Sequence, residues 1–152
     1  MLLSRYLLAL PMLWLSMPAA AELALGDPWI RALPPTQKVT AAYVAITNRG
    51  DEALVLQGAR IEGAGKVEIH TTREVDGLLR MEQLSTLAIP PGETRELAPG
   101  GAHFMLFDLA VMPRPGERRQ MCLVFADGLE QCATATVRKS ADHGGHDHHQ
   151  HH

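Results

Sequence analysis

His70, Met81, His103 and Met105 stand in the pattern H-x10-M-x21-H-x-M, two imidazoles and two thioethers with no thiol among them. Thioether sulfur is a soft donor that selects copper in its reduced state. It is a poor ligand for zinc, whose sites are built from cysteinate, imidazole or carboxylate. Thioethers also form no disulfide, so this donor set holds Cu(I) where a thiolate set would be open to oxidation, with methionine sulfoxide as its own route to damage. The chemistry these residue types allow is the binding of Cu(I).

Such ligands act together only if strands position them. His103 and Met105 are two apart in Gly101-Ala102-His103-Phe104-Met105-Leu106-Phe107, and residues i and i+2 of a strand share a face. Phe104 then points to the opposite face. His70 and Met81 flank a hairpin through Glu74-Val75-Asp76-Gly77. A four-residue loop there sets His70 opposite Met81, a two-residue Asp76-Gly77 turn sets them diagonally, and both keep them on one face; a three-residue loop separates them. How the two pairs meet is not written in local sequence. It requires a fold that brings the hairpin beside the His103 strand, with the site near one end, partly exposed and bordered by Ala98 to Gly101 and Thr71 to Leu78.

Short strand-like stretches supply that context: Trp29 to Arg31, Ala41 to Thr47, Ala53 to Ala59, Lys66 to Thr71, Leu78 to Leu84, Phe104 to Leu109, Gln120 to Phe125 and Gln131 to Val137. Turn signals such as Asn48-Arg49-Gly50-Asp51, Pro90-Pro91-Gly92, Pro99-Gly100-Gly101 and Pro113-Arg114-Pro115-Gly116 divide them. No sustained helical period interrupts the pattern after the N-terminus, so the reading is all-β, a sandwich or Greek-key barrel. Cys122 and Cys132 flank a hairpin that turns at Asp127-Gly128. A loop of three or five residues centred on Asp127 faces them across the strands, where a disulfide can close, and a loop of two or four points them apart. Met112 remains open as an auxiliary ligand, and Met121 reads as packing.

The ends of the chain differ from this body. Arg5, the apolar run from Tyr6 to about Trp14, and Ala19-Ala20-Ala21 read as a secretory signal cleaved after about Ala21, too short for a stable membrane span. The folded domain is then 22–138, followed by a polar arm over 139–152. That arm carries six of the eight histidines, His143, His146, His148, His149, His151 and His152, and is read as a disordered tail unable to support a core. Imidazoles suit Cu(II), and the interruptions by Gly, Asp and Gln are unlike an engineered tag, so the tail is expected to capture oxidised copper. Capture weakens as pH falls through about 6.5, because only neutral imidazole ligates. The formal charge of −3, without a basic cluster, argues against nucleic acid as a partner.

The spacing of the four core residues resembles that of the periplasmic copper chaperones called PCuAC, without insertion or deletion. The resemblance extends from Asp27-Pro28-Trp29-Ile30-Arg31-Ala32 through Ala42 to Asn48 and Val67-Glu68-Ile69-His70, and on to Pro99 to Leu106. It implies a cupredoxin-like β-sandwich that binds Cu(I) through His70, Met81, His103 and Met105. It further implies delivery to the binuclear centre of cytochrome c oxidase subunit II, alongside a Sco-type thioredoxin-fold protein.

Other classes fit less well. An electron-transfer cupredoxin needs cysteinate beside histidine, and Cys122 is followed by Leu-Val-Phe-Ala. No catalytic triad or paired carboxylate site emerges, so the chain is not read as an enzyme. A copper or zinc buffer using the tail as its main site is the principal alternative. A purely structural sandwich is the remaining one.

Overall fold

The computed structural model describes residues 22–139; residues 1–21, read above as a secretory signal, and the tail histidines His143, His146, His148, His149, His151 and His152 lie outside the described residues. Eleven strands follow one another: β1 (Leu23–Leu25), β2 (Trp29–Arg31), β3 (Thr40–Asn48), β4 (Leu54–Ile61), β5 (Lys66–Val75), β6 (Leu78–Leu84), β7 (Leu87–Ile89), β8 (Thr94–Leu97), β9 (His103–Phe107), β10 (Arg118–Phe125) and β11 (Glu130–Arg138). No helix occurs among the described residues. The all-β expectation therefore holds, with the strands in an open sheet of order β6-β5-β9-β3-β2-β11-β10-β4-β7 and with β1 and β8 added on β3.

β3 organises the assembly because it serves two sets of neighbours. Its first part pairs with β9 (Ala42 opposite Phe104) and β2 (Tyr43 opposite Trp29), and its second part pairs with β8 and β1. Alternation then sorts the side chains. Ile30, Ile46, Leu56, Ile69, Phe104, Leu106, Met121, Leu123 and Phe125 are all but excluded from water and form one core. Met121 is packing, as expected, and Met112 is buried in the same apolar cluster. Since Ile69, Phe104 and Leu106 turn inward, their neighbours Glu68, His70, His103 and Met105 take the other face of the sheet.

Both hairpins adopt one of the geometries open to them. β5 and β6 join through Asp76-Gly77 alone, with Val75 opposite Leu78. Asp76 (φ 54°) and Gly77 (φ 75°) supply the two positive φ values that a two-residue hairpin of matching twist demands. β5 thus extends to Val75, beyond its expected end at Thr71. Between β10 and β11 the loop is Ala126-Asp127-Gly128: Phe125 N–H donates to Leu129 O at 3.0 Å, Asp127 Oδ1 accepts from Leu129 N–H at 2.9 Å and Gly128 takes φ 86°. This three-residue loop sets Cys122 opposite Cys132, and the two form a disulfide. β1, β7 and β8, of three or four residues each, escaped the sequence reading, whereas β2, equally short, was found.

Candidate metal centre

The meeting of the two ligand pairs comes from strand pairing. β5 lies between β6 and β9, and its register with β9 puts His70 directly opposite His103 and Glu68 opposite Met105. Its register with β6 puts Thr72 opposite Met81, so Met81 sits diagonally from His70 on the same face. Three neighbouring strands therefore bring His70, Met81, His103 and Met105 to one patch on the outside of the sheet.

The patch grades from buried to open. His103 is 5% exposed, and Met81, on edge strand β6, is 54% exposed. His70 and Met105 lie between these extremes. The His70 and His103 rings stand 6.1 Å apart, centre to centre. Metal–imidazole bonds of about 2.0 Å, with about 1.1 Å more from nitrogen to ring centre, let two imidazoles share an ion up to about 6.2 Å apart. The observed spacing lies just inside that limit, which only a collinear arrangement reaches; a four-donor site with angles of about 109° would draw the rings about 1 Å closer.

Each ring is also oriented. His103 Nδ1 donates to Gly101 O at 2.9 Å, leaving Nε2 with the free lone pair. His70 Nε2 lies 2.8 Å from Glu68 Oε2. His70 Nδ1 is buried without a hydrogen-bond partner among the described residues. Leaving such an atom unpaired costs about 1–3 kcal/mol, and a metal ion is a partner that removes the cost.

Polar and aromatic groups flank the two histidines. Lys66 Nζ bonds the other oxygen of Glu68 at 2.6 Å and stands over the Phe107 ring at 5.3 Å. The Lys66 hydrogen bond first, and the His70 one second, hold the Glu68 carboxyl below its ordinary pKa; the same carboxylate raises that of Lys66. On the far side of His103, Tyr43 is 6.4 Å away between ring centres and packs on Trp29 at 4.3 Å. Burial pushes the Tyr43 phenol up, partly offset by Arg31, whose guanidinium lies 5.4 Å from the ring centre. Glu68 and Tyr43 were not singled out from sequence. Strand parity with His70 was the signal available for Glu68.

A concavity of about 640 Å³ is lined by residues that include Arg60, Lys66, Gln120, Cys122, Glu130 and Cys132, and by none of the four expected ligands. Cys122, Glu130 and Cys132 do bring ligand-type atoms within 4.8 Å of one another, but the two sulfurs are bonded to each other.

The family model described as "Putative lipoprotein LpqE-like" matches residues 23–137. The chain belongs to the LpqE-like family. A putative lipoprotein of Leifsonia xyli subsp. xyli is 31% identical over 111 residues, 72% of this chain and 66%, just under two thirds, of its own length. Among solved structures, Cu(I)-bound DR1885 of Deinococcus radiodurans is 31% identical with a TM-score of 0.66, covering 81% of this chain and 82% of its own. The copper-bound PCuAC domain of PmoF2 is 25% identical with a TM-score of 0.65, covering 80% of this chain and 96% of its own. This LpqE-like chain thus has the cupredoxin-like β fold of PCuAC domains, as the resemblance implied, and copper-binding domains are among its structural neighbours.

Proposed function

We propose that this protein is a periplasmic copper chaperone that carries one Cu(I) on His70, Met81, His103 and Met105. The observation that carries the reading is the β5–β9 register, which stands His70 against His103 on a face shared with both methionines. The orphaned Nδ1 of His70 and the free Nε2 of His103 are donors in search of an ion. Likeness to copper-bound PCuAC domains supports the same conclusion.

The mechanism is ligand exchange rather than turnover. Met81 is the exposed ligand on an edge strand, so an acceptor's thiolate or imidazole reaches the copper from that side, shares it, and displaces the labile thioethers. By family analogy the acceptor is the copper centre of cytochrome c oxidase subunit II, or a Sco-type thioredoxin-fold protein that serves it. The leader exports the chain and is removed after about Ala21. The tail histidines collect further copper as Cu(II), where imidazole donors suit the oxidised ion.

An anaerobic Cu(I) titration of the full chain against a competing chelator tests the reading. It predicts one tight site that persists when the six tail histidines are replaced by alanine and is lost in Met81→Ala/Met105→Ala. Survival of the site in that double variant, with loss of metal binding in the tail variant, would instead make the protein a copper or zinc buffer.

A further inference from the structure

The two core histidines are held in opposite ways, and the difference assigns the nitrogen each one offers. Glu68 and His70 are same-face neighbours on β5, and Glu68 Oε2 meets His70 Nε2 at 2.8 Å. An ionised carboxylate only accepts, so the proton lies on Nε2 and the lone pair on Nδ1. That Nδ1 is buried and, among the described residues, unpartnered. In His103 the arrangement is reversed, because the Gly101 carbonyl takes the Nδ1 proton.

Resting on the copper reading above, we propose that Glu68 is a positioning residue that commits His70 to bind copper through Nδ1, while His103 binds through Nε2. Glu68 is suited to this because it is itself held. Lys66 takes its second oxygen at 2.6 Å, and Lys66 rests on the Phe107 ring, which in turn lies 6.2 Å from the His70 ring. The carboxylate can neither swing into the metal position nor turn to solvent without losing both cationic and imidazole partners. A carboxylate on the far nitrogen also makes the imidazole a better donor and fixes its plane, and outer partners of this kind typically govern metal affinity by about 10–100-fold.

Long-range proton–nitrogen correlation spectra of the full chain, labelled with 15N-histidine and recorded before and after anaerobic loading with one equivalent of Cu(I), test the assignment. His70 signals are identified by their absence from His70→Ala. The expected result is a protonated Nε2 on His70 in both states, with only its Nδ1 resonance moved by copper. Glu68→Ala should mix the two tautomers of the unloaded ring and weaken Cu(I) binding about 10–100-fold, and Glu68→Gln, which keeps an acceptor oxygen, should recover part of the loss. Copper on His70 Nε2 in the unaltered protein overturns the assignment while leaving the copper site standing. An affinity and tautomer unchanged in Glu68→Ala also overturn it. Core histidine signals that ignore copper altogether overturn both the assignment and the copper reading beneath it.

Discussion

On the proposed reading Met81 donates to copper while Phe104 only packs, so variants at these two positions should separate binding from folding. Met81 is more than half exposed, so Met81→Ala removes little packing and is expected to change unfolding free energy by less than about 1 kcal/mol while abolishing tight Cu(I) binding. Phe104, between the two β9 ligands, is fully buried; Phe104→Ala should cost about 3–5 kcal/mol and lose copper only through loss of fold. Denaturant unfolding beside chelator competition distinguishes the two cases. Glu68 adds a pH signature in the metal-free protein. Its carboxyl is held below the ordinary value in the folded chain, chiefly by Lys66 and then by His70, so it contributes stability above the ordinary value of about 4.3. That contribution is lost as pH falls through the depressed folded value, and Glu68→Gln should flatten this part of the acid limb. At this scale donor type and i,i+2 parity picked out four residues that strand pairing brings to one patch; Glu68 was missed because the ring nitrogen it meets is set by side-chain geometry.

The hairpin at Asp76-Gly77 sets the diagonal between His70 and Met81. One glycine inserted between Asp76 and Gly77 makes the three-residue loop that reverses the face of β6 relative to β5. Cu(I) affinity should then fall as far as in Met81→Ala, and a second inserted residue should restore much of it. The β10–β11 hairpin allows an independent test. Its disulfide closes a sequence separation of 10, for which chain-entropy arguments give about 2–3 kcal/mol. Cys122→Ser/Cys132→Ser should therefore lower stability by about that amount, measured by denaturant unfolding, with Cu(I) affinity unchanged. Local sequence narrowed both loops to a few lengths, because a loop's parity and its glycine limit the choices. The β5–β9 pairing was beyond it: 32 residues separate His70 from His103, and which strand docks beside which is decided by the core, through Ile69, Phe104 and Leu106.

At the scale of the described domain, the core and the candidate metal patch occupy opposite faces of the same strands. The open end of the patch lies at edge strand β6, where Leu78 and Leu79 are exposed along with Met81. On the proposed reading, copper held there would be half sheltered by His103 and half presented, the arrangement a donor needs for release by exchange. The central claim is that one Cu(I) takes two imidazoles and two thioethers from β5, β6 and β9. X-ray absorption of the full chain, loaded anaerobically with one equivalent of Cu(I), measures that donor set directly. Two nitrogen and two sulfur scatterers are predicted, with both sulfurs gone in Met81→Ala/Met105→Ala; a shell of nitrogen and oxygen alone in the unaltered protein would contradict the account.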